Sequence, residues 1–433
     1  MESKIQAAVG MTRKWDAREA GKEVARSTIE KLENPPDFFL LFSTIHYRDH
    51  GCFEEFLNGV KSVLPEDTPV MGGTVAGFMN SCGNYIRGAS ALAVSYPNMD
   101  ITIGIGNNTK RNPKKAAEKC ANMIKNGFSN SNYENKFLLN LVSGPLVMKI
   151  PGQGYKKVVD SGFMSKFIML SMGIQNLIQK GLGREDEIFE EMTNNLLDYK
   201  MVLGTSVDDY KGIDNFQFYN DKILVNSVVS LGLSTDLDLD VNTTHGMTET
   251  DVKFNITKLS RDKHIIKKIN NKPPVPELYR LLNWPNGFLN EEAMLNRILY
   301  YPISLKRHGR RVPAVMLFIL KDSILTPCMN DEGEVSIMSV SGRDLIESFY
   351  KNINYFNNIQ PEFGLSSICL TILQTLGYKS ETIQQMFLKY FKNKPFLAFW
   401  NAGEGTYSPT TGIVYANMSY NTAVFGNYLT KTL

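Results

Sequence analysis

Two glycine-bearing segments, each followed by the same succession of strand signals, constrain this chain most. The first is Pro69-Val70-Met71-Gly72-Gly73-Thr74-Val75-Ala76-Gly77 and the second is Met201-Val202-Leu203-Gly204-Thr205-Ser206-Val207-Asp208-Asp209. Behind each comes a strand-like run (Gly88 to Ser95; Ile223 to Leu231). Each then enters a strictly alternating strand, Asp100-Ile101-Thr102-Ile103-Gly104-Ile105-Gly106 and Asp236-Leu237-Asp238-Leu239-Asp240-Val241-Asn242. The offset is 132 residues at the glycines and 136 at the alternating strands, which reads as an internal duplication with a short loop insertion. Backbone N–H groups at a glycine turn can approach a ligand closely, so two such turns suggest a scaffold for a small molecule.

The chain has 433 residues, room for two or three domains. Apolar residues make up 43% and charged residues 21%, enough for a large core. A net charge of +3 is too small to argue for nucleic acid, and no basic, aromatic-interleaved segment supports it. Five scattered cysteines without a Cys-x-x-Cys fit a reducing, cytoplasmic setting. Met1 to Gly10 has no secretory core and no run is long enough to span a membrane, so neither export nor membrane insertion is expected.

Asp16-Ala17-Arg18-Glu19 has the form of a capping box and predicts a helix burying Ala17, Ala20, Val24 and Leu32. Phe38 to Ser43 predicts a strand buried on both faces. Further helices are expected over Phe53 to Val63, from Asn112-Pro113, and near 163–180 and 185–198. In Phe163 to Ile178 the apolar positions Phe163, Phe167, Leu170, Ile174, Leu177 and Ile178 have helical spacing, which predicts a well-buried amphipathic helix. The expected class is α+β, an internally duplicated region of helix-covered sheets followed by a smaller α/β region. The border is placed at 262/263, near the Pro-rich turn Asn271 to Pro276, with halves of about 1–135 and 136–262.

Phe38 to Ser43, Val70-Met71-Gly72-Gly73-Thr74, and Val202-Leu203-Gly204-Thr205-Ser206 running into Asp208-Asp209 resemble a FIST N-terminal region, continued through His245-Gly246 and Phe254-Asn255-Ile256-Thr257. Phe399-Trp400-Asn401-Ala402-Gly403-Glu404-Gly405 resembles the C-terminal FIST region, so the likeness covers almost the whole chain, 1–262 and 263–433. It implies an intracellular sensory module for a small molecule, amino acids being often proposed, with output through a downstream signalling partner. Haem and nitric oxide sensing in some relatives is the alternative it leaves open.

The turns at Gly72, Gly73, Thr74 and at Gly204, Thr205, Ser206 could present N–H groups and hydroxyls to an anion, or mark close strand crossings that only glycine fits. Glu404, between two glycines, could meet a ligand amine, with Asn401 adding an amide contact; the family motif supplies most of that expectation. Asp208 and Asp209 could hold a cation, although a turn is the simpler reading. No metal site is expected. His46 and His50 have the i, i+4 spacing of a metal pair, but Gly51 points to a loop. His245 is the better haem ligand by position, against a plain hydrogen-bonded turn histidine. Met148, Met164, Met169 and Met172 could line a pocket or fill core. Lys306 to Arg311 is a compact basic run that reads as a solvated turn. Walker, dinucleotide, Gly-x-Ser-x-Gly and His-Glu-x-x-His signatures are missing, and Thr74 and Cys82 show no base beside them. The expectation is a sensor without a resident cofactor, with an enzyme on the same scaffold as a further alternative.

Overall fold

The computed structural model of the chain describes residues 4–146, 154, 156–296 and 300–429. Three of its four sheets share one strand order. The first runs Gln6–Thr12, Ala89–Ser95, Phe38–Ser43, Val70–Thr74. The second runs Met99–Asn107, Ser227–Thr235, Asn135–Ser143, Lys200–Ser206, and the third Asp238–His245, Ser419–Tyr428, Ile359–Cys369, Phe396–Asn401. In each, the last two strands are parallel and the other pairings antiparallel. Each sheet is then completed by a hairpin from another. Gln217–Tyr219 and Lys222–Leu224 join the first, Gly405–Ser408 and Gly412–Tyr415 the second, Gly77–Asn80 and Gly83–Tyr85 the third. The loans close a ring.

Local chemistry explains the pieces. Phe38, Leu40 and Phe42 alternate with Phe39 and Leu41. The first set joins a central core made by the inner faces of all three sheets, where Phe42 stacks on Phe399 at 4.2 Å and Phe137 meets Phe425 edge-on at 4.9 Å. The second set lies under the helices Ala17–Ile29 and Cys52–Lys61. Helix Ala17–Ile29 starts where Asp16 accepts the Glu19 N–H at 2.9 Å, and it ends before Leu32. Pro113–Gly127 and Glu185–Asn195 cover the second sheet, Gly342–Asn354 and Glu381–Phe391 the third.

The fourth sheet grows from two insertions into this plan. Its strands are Arg310–Ala314, Ile303–Arg307, Gly333–Ser339, Thr248–Leu259, Ile265–Ile269, Ser323–Leu325, Phe318–Leu320 and Val158–Val159. Thr248–Leu259 and Ile265–Ile269 form a hairpin across 262/263. The basic run is a hairpin turn at His308-Gly309, except that Arg307 turns inward to Asp186 at 3.4 Å.

One expectation is corrected. The Gly162–Leu177 helix forms, but Phe163, Phe167, Leu170, Ile174, Leu177 and Ile178 point to solvent. Its other side carries Met164, Ile168 and Met169, and these take the available seat on Val159, Leu182 and Leu320. Apolar spacing fixed the helix but could not say which of two apolar faces would find a neighbour. Met148 lies outside the described residues, as does the Met172 side chain.

Candidate functional site

The parallel strand pairs end in register at Ser43 and Thr74, Ser143 and Ser206, and Cys369 and Asn401. The three bends that follow meet. Val207 N–H donates to the Thr74 carbonyl at 2.9 Å and Ala76 N–H to the Trp400 carbonyl at 2.9 Å. Thr205 N–H donates to Asn401 Oδ1 at 3.1 Å, and Ala402 N–H to Thr205 Oγ1 at 3.1 Å. These polar groups are spent on one another. Ser206 is engaged with Val142, Asn215 and Gln217, and Thr74 Oγ1 accepts the Phe216 N–H at 3.0 Å. The glycines are close crossings: a Cβ on Gly72 would lie 1.7 Å from the Leu41 carbonyl, and one on Gly204 2.6 Å from the Phe399 ring. Gly73 is likewise closed in by Phe216 and Leu141.

Beside this junction, where the ring meets the fourth sheet, lies a cavity of about 430 Å³. Val207, Val315, Leu317, Phe318, Met294 and Leu370 make it mostly apolar. Its polar lining includes Glu185, Asp208, Cys369, Asn417, Lys157 and Lys211. Of the residues expected from sequence, Asp208 lines it. The Asp208 carboxylate is already a turn clamp, accepting N–H groups of Gly212 and Ile213 at 2.7 Å each. Gly403 lines it and Glu404 lies beneath, while Gly72, Gly73, Thr74, Gly204, Thr205, Ser206 and Asn401 stand behind the wall.

Glu185 escaped the sequence reading. It opens the Glu185–Asn195 helix and is wedged under Gly183 and Gly403. A Cβ on Gly403 would lie 2.6 Å from Glu185 Oε1, and its φ of +80° also favours glycine. Oε1 accepts the Tyr415 hydroxyl at 3.2 Å, whereas Oε2 has no hydrogen-bond partner among the described residues. Burial pushes the Glu185 carboxyl up to about 7, and the neighbouring Asp186 charge adds to it. Glu404 is fully buried, and among the described residues neither of its oxygens closes a hydrogen bond of full geometry. Burial holds its pKa well above the carboxylate range; the Cys369 thiol facing it pulls the other way, and the charge of Glu185 adds to the rise. Burial and then the Glu404 charge likewise raise Cys369, which therefore stays a thiol. One protonatable carboxyl, Glu185, thus lines an apolar cavity, and a second, Glu404, is buried beside it.

A second buried pair lies behind the bends. Lys110 Nζ donates to Ser143 Oγ and to Asn226 Oδ1, each at 2.9 Å, and Ser143 Oγ donates to Asn215 Oδ1 at 2.8 Å. Burial brings Lys110 down to about 7, opposed by the Glu185 charge. A base does touch a serine here, but both side chains are fully buried and neither lines the cavity. Among the described residues one group has ligand atoms close enough for a metal: Asp186, Glu187 and His264. Arg184 and Arg307 already neutralise its acids. His46 and His50 lie in and just after a short 3-10 turn with ring centroids 6.3 Å apart, and the His46 Nδ1 meets Thr44 Oγ1 at 2.8 Å. His245 accepts the Met247 N–H at 3.4 Å and does not line the cavity.

A family model described as the FIST N domain matches residues 37–272. No curated protein matches the chain. Among solved structures, the crystal structure of cyanuric acid hydrolase from A. caulinodans aligns over 98% of this chain and 100% of its own, at 5% identity and a TM-score of 0.32, a likeness too slight to carry chemistry across.

Proposed function

The chain belongs to the FIST family, and from that premise we propose that it is a small-molecule sensor whose ligand carries an ammonium group on an apolar body, an amino acid with an apolar side chain fitting best. The observation that carries this is Glu185, which lines an apolar cavity and whose buried Oε2 has no hydrogen-bond partner among the described residues. An entering ammonium replaces the proton on Glu185, supplying the charge partner that burial denies it. Lys157 on the lining suits the ligand's carboxylate. Because the cavity joins the ring to the fourth sheet, a ligand held by both favours one packing of the two and shifts its population. A downstream protein reads that shift. The free cysteines fit a cytoplasmic setting, and no described helix is long and apolar enough to cross a membrane.

Calorimetry with a panel of apolar amino acids tests the reading, each compared with its analogue lacking the amine. Glu185→Gln is expected to weaken binding by roughly ten- to a hundredfold, the worth of a charge-assisted hydrogen bond. A panel without binders, or a variant that binds as tightly as the parent, sinks it.

A further inference from the structure

Among the described residues, the Gly162–Leu177 helix has no neighbour on one side. Phe163 is 80% exposed, Leu170 82%, Ile174 61%, Leu177 58% and Phe167 53%, with Ile178 just beyond at 56%. The first five recur at steps of four, three, four and three residues, the period that keeps a seam on the side of one helix facing another. A polar outer face is the ordinary solution for a surface helix; this one is apolar on both sides.

We propose that this seam is where a second copy of the chain docks, the same helix packing antiparallel against itself across a twofold axis. The exposed side chains amount to roughly 600 Å² per copy, so that a pair covers about 1,200 Å², the lower end of a specific interface. Charges flanking a helical seam select a different partner; here one flank, Met164, Ser171 and Ile178, carries none, and the other carries Lys166 and no acid. A self-complementary apolar patch is what a twofold contact needs. Lys166 is the one charged residue of the helix. Antiparallel packing keeps the two copies of it apart along the seam and aligns the helix dipoles favourably, whereas parallel packing brings both to one level. A lipid surface fits less well, because helices that lie on bilayers carry rows of Lys and Arg on the face away from the lipid. The seam also communicates with the cavity: Leu317 and Phe318 line the cavity and pack in the cluster that seats Met164, Ile168 and Met169.

Analytical ultracentrifugation of the full chain across micromolar concentrations tests this. The parent is expected to sediment as a dimer, and Leu170→Glu, which sets a charge in the seam of both copies, to weaken association by about a hundredfold. Leu170 is solvent-facing in the single copy, so the variant is expected to keep the parent's melting temperature when both are compared as monomers. Leu170→Cys is expected to form covalent dimers on mild oxidation, and Tyr378→Cys, at an equally exposed position elsewhere, is not. A monomeric parent, a Leu170→Glu dimer as tight as the parent, or a monomeric parent recovered on anionic vesicles each overturns the proposal.

Discussion

Glu185 and Lys110 are buried charges-in-waiting, and their pH behaviour differs in sign. Glu185 is raised to about 7 from 4.5, so the folded protein keeps a proton that the unfolded chain has released. Stability therefore falls as pH climbs from 4.5 to 7 and is level above that. Glu185→Gln is expected to match the parent near pH 4.5 and to exceed it by on the order of 2 kcal/mol above pH 7, measured by urea denaturation at both pH values. Lys110 is lowered to about 7 from 10.5, so its burial costs nothing above pH 10.5, costs more as pH falls, and levels off below 7. Lys110→Met is expected to flatten the rise in melting temperature between pH 7 and 10. Ammonium binding at Glu185 should tighten as pH rises through 7, and Glu185→Gln should abolish that slope. Neither residue was legible in the chain. An acid opening a helix is ordinary, and only Gly403 and Tyr415, more than two hundred positions away, turn this one into a buried carboxyl.

At the scale of elements, the sequence spoke clearly where a rule is local. The Asp16 cap, the two-faced strand Phe38–Ser43 and the Pro113–Gly127 helix all follow from residues within a turn or two. The glycines were read from their spacing, and their packing is now specific. Gly72→Ala places a methyl against the Leu41 backbone carbonyl, which cannot move aside, and is expected to cost several kcal/mol or prevent folding, as judged by soluble yield and chemical denaturation. What failed was knowledge of neighbours. The outward turn of Phe163 and Leu170 depends on which of two apolar faces meets Leu320. The third sheet also hid its likeness to the first two. Where its register matches Gly72-Gly73 it carries Phe399-Trp400, and residues 246–341 interrupt it.

For the whole molecule, the loaned hairpins decide what can stand alone. A fragment ending at 262 keeps Lys200–Ser206 but loses Gly405–Ser408 beside it, and it keeps Gly77–Asn80 without the strand Phe396–Asn401 that it pairs with. Such a fragment is expected to lack cooperative unfolding and a dispersed amide spectrum, whereas adding 263–433 as a second chain should restore both. A fragment that folds on its own would show that the exchanged hairpins add little.

The ring also orders events during synthesis. The first sheet needs residues 217–224, the second 405–415, and the third the strand ending at Tyr428, almost the last described residue. An emerging chain therefore holds unfinished edges until the strand Ser419–Tyr428 has been made, with pairings that join residues more than three hundred positions apart. Such a protein depends on being kept from its neighbours while it is being made, and slowing its translation would lengthen the time its open edges can pair with the wrong chain.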